Sequence, residues 1–232
     1  MTPGVISRLQ FRTVVHFSNN GSSPRRARRR DTRRDEILRA AAGIFRDRGF
    51  ADTGMRDIAA AANLSAANLY HYFKGKDEIL YYCQDRAVDR MLEAIGRARR
   101  ERGPATTRLR GVLLSHIRTL LDEIEGATAH LQVEALSPVL RAQIVAKRDR
   151  YEHALRRLIA DGAKRGEFVA PDPALAARAM LGALNSTVTW FDPAGAKSGD
   201  RVGSAIVDYL IRVFATTPDA TARRRQPARK TP

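Results

Sequence analysis

With 232 residues and 44% apolar content, the chain can build one large or two small domains with real cores. No apolar run approaches the roughly 20 residues of a membrane-spanning helix, and the single cysteine, Cys83, excludes an internal disulfide and suits a reducing compartment. Of the formal +16, most sits at the ends: residues 1–34 hold nine Arg against one Asp, and residues 216–232 hold five Arg or Lys against one Asp.

Residues 1–31 show no sustained period and include Asn19-Asn20-Gly21-Ser22-Ser23-Pro24, a flexible composition. They read as a disordered basic arm, or as a start placed too far upstream, and Arg25 to Arg30 could reach a minor groove. From Thr32 the pattern changes. Thr32 with Asp35 offers a cap, and Ile37, Leu38, Ala41, Ile44 and Phe45 recur at helical spacing up to Gly49. Asp52-Thr53-Gly54 opens a second helix, with Thr53 as its expected cap.

The stretch Met55 to Lys76 reads as two short helices joined by a tight turn. Ile58, Ala59 and Ala62 share a face of the first, and Leu69 and Phe73 a face of the second. Between them, Asn63 tolerates a left-handed backbone, Leu64 can plug the angle, and Ser65 is a ready N-cap. A second helix this short, running into Tyr-His-Tyr-Phe-Lys, suits a groove better than a core. The pattern is that of a helix-turn-helix whose second helix enters the major groove of DNA.

Gly75-Lys76-Asp77-Glu78 begins a long helix with acids in its first turn, where the helix dipole favours them. Its face runs Ile79, Leu80, Cys83, Ala87, Met91 and Ile95, ending near Gly96 and by Gly103-Pro104 at the latest. Cys83 on that face reads as a small buried hydrophobe. Thr107 to Glu125 carries Leu109, Val112, Leu113, His116, Leu120 and Leu121, and a short helix is expected over His130 to Leu136. Ser137-Pro138 starts a long helix to about Lys164. Asp172-Pro173 starts another, with Leu175, Ala179, Gly182, Ala183, Ser186 and Trp190 facing one way until Asp192-Pro193-Ala-Gly195 breaks it. The last, Asp200 to about Ala215, presents Val202, Ile206, Tyr209, Leu210 and Val213. No strand pattern or repeat is present. The expected fold is all-α with about nine helices: an arm over 1–31, a DNA-binding domain over 32–82, a larger effector-binding and dimerisation domain over 83–216, and a disordered basic tail over 217–232.

Ile37-Leu38-Arg39-Ala40-Ala41, Phe45, Gly49-Phe50, Thr53, Arg56-Asp57-Ile58-Ala59, Leu64-Ser65, Leu69-Tyr70-His71-Tyr72-Phe73 and Lys76-Asp77-Glu78-Ile79-Leu80 together resemble the TetR family of bacterial regulators. The resemblance spans residues 32 to 82 and departs at two turn positions, Asn63 for the usual Gly and Gly75 for a frequent Ser or Asn. Beyond residue 83 it is one of helix number and order. Trp190-Phe191-Asp192-Pro193-Ala-Gly195 is reminiscent of members that sense acyl-CoA thioesters.

That resemblance implies a partition of labour, since phosphate contacts position a protein and base-edge contacts specify sequence. Lys76 is similar to the family's phosphate-binding lysine, at a helix N-terminus whose N–H groups add donors. Thr53, Arg56, Tyr70 and Tyr72 match backbone-contacting positions, with Lys74 nearby. Base reading falls to Ser65, Ala66, Ala67, Asn68 and His71, of which Asn68 can pair bidentately with adenine. Plain helix propensity accounts equally for the two alanines, and half-buried packing is the alternative for the two tyrosines. Residues 35–82 hold six Lys or Arg and seven Asp or Glu, so binding must rest on placement and on two copies acting together.

A dimer would set two recognition helices about 34–36 Å apart and require a partly palindromic operator. Its interface is expected on the last two helices, where Gly182, Ala183 and Ser186 allow close approach beside Val202, Ile206 and Tyr209. The body is expected to enclose a largely apolar effector pocket, with His116, His130, Asn185, Thr187, Thr189 and Trp190 as candidates and acyl-CoA as one ligand class; each of these residues also fits a core or interface role. No His-Glu-x-x-His, Glu-x-x-His pair, Gly-rich phosphate loop or metal-ligand spacing is present, so no enzyme, metal or cofactor is expected. The partners expected are operator DNA, a small-molecule effector and a second copy, in a bacterial cytoplasm at the nucleoid. Two alternatives use the basic tails without specific DNA reading: a helical interaction module and a membrane-surface protein.

Overall fold

The computed structural model describes residues 24–121 and 133–216. The expected arm up to Ser23, the tail from Thr217 and His130 lie outside those residues. The described residues form eight α-helices: α1 (Pro24–Arg48), α2 (Met55–Ala61), α3 (Ala66–Tyr70), α4 (Lys76–Arg100), α5 (Ala105–Leu121), α6 (Pro138–Lys164), α7 (Pro173–Trp190) and α8 (Gly199–Phe214). A single 3-10 turn, Val133–Ala135, precedes α6. The only β feature among them is an isolated antiparallel bridge between Phe168 and Ala215. None of the described helices is long and apolar enough to cross a membrane.

Two hydrophobic clusters organise the chain. The first gathers Ile37, Ala41 and Phe45 of α1, Ile58 of α2, Leu69 and Phe73 around α3, and Ile79, Leu80 and Cys83 of α4. The second gathers Met91 and Ile95 of α4, Leu109, Leu113 and Ile117 of α5, Leu155, Leu158 and Ile159 of α6, Met180 and Leu184 of α7, and Val207 and Ile211 of α8. α4 joins them with the face expected from its spacing, and Cys83 is buried. α6 joins them too: Ile144, with Leu136 just ahead of the helix, belongs to the first cluster, and Tyr151 and Leu155 to the second.

Two expectations need correcting, and one face takes its place. α1 begins at Pro24, not at Thr32, and the Thr32 hydroxyl donates back to the Arg28 carbonyl at 3.0 Å inside the helix. Arg and Ala are good helix formers, so the segment continues the helix although it lacks an apolar period. Thr53 does not cap α2: its hydroxyl donates to the Gly49 carbonyl at 2.7 Å. Gly54 takes the N-cap position, and its N–H donates to Asp57 Oδ2 at 2.8 Å. The face of α7 through Leu175, Ala179, Gly182, Ser186 and Trp190 is exposed, while Ala176, Ala177, Met180, Leu184 and Thr187 enter the core. α7 is apolar on both sides, and α5 and α6 occupy only one of them.

Candidate DNA interface and effector cavity

The reading head is built by its turn. Asn63 takes φ 52°, and the Leu64 and Asn63 N–H groups donate to the carbonyls of Ala59 at 2.8 Å and Ala60 at 3.1 Å. That is the Schellman closure of a helix end, with Asn63 in the conformation its side chain tolerates. Ser65 then caps α3, accepting the Asn68 N–H at 3.2 Å. α3 is five residues long, so its rigidity comes from Leu69, buried against Ile58 and Phe45 in the first cluster. Outward from that anchor, Ser65, Ala67, Asn68, Tyr70 and His71 are exposed, Tyr70 by 55%. Ala66 and Tyr72 are half-buried, and Tyr72 packs on the cluster edge. Arg56 and Lys74 are exposed on either side.

Two of the expected phosphate ligands are engaged inside the protein. The Lys76 ammonium donates to the carbonyls of Phe50 at 2.8 Å, Thr53 at 2.9 Å and Ala51 at 3.1 Å, and lies 4.6 Å from the centre of the Phe50 ring. An ammonium has three hydrogens, and all three have acceptors here. Thr53 is buried and spends its one hydroxyl hydrogen on Gly49. Both residues therefore lock the α1–α2 turn onto the start of α4. Sequence reasoning also missed the clamp at the other side. Arg33 donates to the carbonyls of Ala62 at 3.0 Å and Asn63 at 3.3 Å. Arg34 lies over the rings of Phe73 and Tyr82, about 5 Å from each centre.

A cavity of about 310 Å³ opens among Val88 and Met91 of α4, His116 of α5, Arg148, Tyr151 and Glu152 of α6, and Arg178, Leu181, Gly182 and Asn185 of α7. His116 and Asn185 lie in it as expected. Thr189 and Trp190 do not line it: both are exposed at the end of α7, and Thr189 bonds its own helix. Thr187 is fully buried and bonds the Leu184 carbonyl. His116 is held at both nitrogens, by the Tyr151 hydroxyl at 3.1 Å and by Asn185 Oδ1 at 3.0 Å. With that carboxamide oxygen as acceptor, Nε2 carries the proton and Nδ1 accepts the tyrosine hydroxyl. The Asn185 NH2 remains a donor at the cavity wall. Burial lowers the His116 pKa to about 4, so the ring is neutral at pH 7, and burial raises that of Tyr151.

The same wall is the α4–α6 seam. Arg148 donates to Gln84 at 3.1 Å, Tyr81 to Gln143 at 2.9 Å, and Lys147 pairs with Asp85 and with Asp89. Tyr151 and Arg148 were legible only as polar members of an otherwise apolar helical face with Ile144, Leu155 and Leu158. A wider open groove of about 850 Å³ runs along the other side of α4 and α6, between Leu92, Ile95 and Arg99 and Arg150, His153 and Arg157; the smaller cavity is the one walled by four helices.

The model of the bacterial regulatory proteins of the tetR family matches residues 37–83, and that of the tetracyclin repressor-like C-terminal domain matches residues 102–214. The crystal structure of PfmR, a TetR family regulator from Thermus thermophilus, superposes with a TM-score of 0.70 at 35% identity, covering 76% of this chain and 97% of PfmR. The repressor KstR2 of Mycolicibacterium smegmatis is 29% identical over 78% of this chain and 89% of its own length. AibR, crystallised with isovaleryl coenzyme A and operator DNA, has a TM-score of 0.66 at 25% identity over 77% of this chain and 98% of AibR. A short capped reading head locked onto a helical body, matched over both parts and along nearly the whole of PfmR, establishes that the chain belongs to the TetR family of DNA-binding transcriptional regulators.

Proposed function

We propose that the protein is a ligand-responsive repressor that binds a partly palindromic operator on the bacterial chromosome as a homodimer and is released by a small hydrophobic effector, with acyl-CoA thioesters the class to test first. The observation that carries the reading is the position of the cavity. Its walls include α4 and α6, the two helices that also pack into the core beneath the recognition helix. An effector acts only through a difference in affinity between two forms. A ligand pressing between Met91, Tyr151 and Leu181 would change how α4 and α6 meet, and with them the spacing of two reading heads. The apolar part of the wall, Val88, Met91 and Leu181, with the Asn185 NH2 as donor beside it, suits an acyl group bearing a carbonyl oxygen, while Arg148, Glu152 and Arg178 make the rest of the lining polar. The volume is at the lower end for ligand sites, so a coenzyme A moiety would extend outward past half-buried Arg148 and exposed Arg178. The repressor KstR2 and the AibR complex with isovaleryl coenzyme A support the same reading by similarity.

The test is DNA binding by fluorescence anisotropy, with the DNA upstream of the protein's own gene as probe and titrations of isovaleryl-CoA, longer acyl-CoAs, free CoA and free fatty acids. One acyl-CoA class should weaken binding at least tenfold, about 1.4 kcal/mol of coupling. Asn185→Leu should keep DNA affinity and lose that response. Binding that no acyl-CoA weakens would overturn the effector class, and absence of specific binding would overturn the operator.

A further inference from the structure

The reading head is nearly neutral, and with Lys76 and Thr53 engaged internally it keeps only Arg56 and Lys74 as exposed cations beside α3, so further cations for DNA phosphates have to come from elsewhere. The first turns of α1 offer them. Arg25, Arg28, Arg29 and Arg30 are exposed, and among the described residues no ion pair reaches them. Such a row is unfavourable in isolation: Arg25 and Arg29 are like charges four residues apart, a helix-destabilising arrangement. A polyanion reverses that sign.

Its direction follows from the next turn. Arg33 reaches the carbonyls of Ala62 and Asn63, and Arg34 that of Tyr72, so α1 at this level runs beside the α2–α3 turn and the end of the recognition helix. α1 then continues for nine residues, Pro24–Thr32, about 13 Å further at 1.5 Å per residue. Arg29 and Arg30 precede Arg33 and Arg34 by four residues, so they share that face one turn on, and helical side chains lean toward the N-terminus. Arg28 points to the other side. We infer that the Arg29–Arg30 face of α1 is a second DNA-binding surface, taking backbone phosphates that flank the half-site read by α3.

The inference rests on the DNA-binding reading, and the experiment separates the two. The site recovered from genomic fragments bound by the full-length protein is made as two duplexes, one ending at the half-sites and one with about five more base pairs at each end. Affinity is measured from 50 to 300 mM salt for the parent, Arg29→Ala/Arg30→Ala and Arg28→Ala. The parent should bind the longer duplex more tightly and with the steeper salt dependence. Each lost phosphate contact removes about 0.9 from the log–log slope, so the double variant, missing four per dimer, should lose about 3 to 4 on the longer duplex and little on the shorter. Arg28→Ala should match the parent. Equal slopes for parent and double variant overturn the inference while leaving DNA binding standing, and an Arg28→Ala loss as large as that per arginine in the double variant overturns the oriented face. Failure of the parent to bind any site overturns both readings. Because these side chains are exposed, unchanged circular dichroism and melting are expected of every variant.

Discussion

Lys76 has three internal acceptors that compete with the phosphate contact expected of it. Its ammonium closes three carbonyls of the connection between α1 and α2, and a hydrogen bond to a charged group contributes about 1.5–3 kcal/mol. Lys76→Met should therefore destabilise the N-terminal domain by a few kcal/mol and weaken DNA binding without altering its salt slope, whereas loss of a direct phosphate contact would lower that slope by about 0.9 per protomer. Melting curves and salt-dependent anisotropy on the same variant decide between the two. His116 makes a second prediction. Its folded-state pKa of about 4 lies below the unfolded value of 6.5. The unfolded chain thus binds a proton that the folded one does not as pH falls from 6.5 to 4, and stability is lost over that window by up to about 3 kcal/mol. Urea unfolding at pH 7 and pH 5 should show a smaller difference for His116→Gln than for the parent; equal differences would mean that the buried ring is not the group responsible.

At the level of elements, what the sequence makes legible depends on whether an apolar period or a local cap specifies the element. The α4 face from Ile79 to Ile95 is buried as its spacing requires. Asn63 and Ser65 carry the turn because their chemistry is local: one backbone region and one side-chain acceptor. The start of α1 escapes such reading, since Pro24–Asp31 has no apolar period and is helical by propensity and continuity alone. Thr53 misleads for a related reason, as its hydroxyl has two carbonyl or amide partners within local reach and takes the Gly49 carbonyl. Of the cavity residues, His116 and Asn185 stand out in the sequence as polar positions within the apolar patterns of α5 and α7. That Tyr151 joins them depends on the register between α5 and α6, which no single helix encodes. The stripe of α7, expected at a dimer interface, is left exposed by the protomer.

For the whole molecule, that uncovered stripe becomes the argument for a second copy. Leu175 is 65% exposed, Tyr209 67% and Val213 72%, with Trp190 at 57%, on the two helices whose other faces rest on the second cluster. Exposed apolar side chains on α7 and on α8 suit the proposed dimer interface, where the small residues Gly182, Ala183 and Ser186 would ease close approach. Val202 and Ile206 are half-buried within the protomer, so a charge at either would disturb the fold as well as any interface. Tyr209 and Val213 are cleaner probes. Tyr209→Lys/Val213→Glu should preserve helicity in circular dichroism, sediment as a monomer, and lose at least a hundredfold in affinity for a duplex with two half-sites while its weak binding to one half-site stays the same. The last comparison matters most. In the proposed dimer a reading head of near-neutral charge would gain specificity by being presented twice at one turn of DNA, about 34–36 Å apart, so separating the copies would remove the spacing and leave each α3 unaltered. A variant that sediments as a dimer, or a monomer that still binds the two-half-site duplex as tightly as the parent, would refute this account.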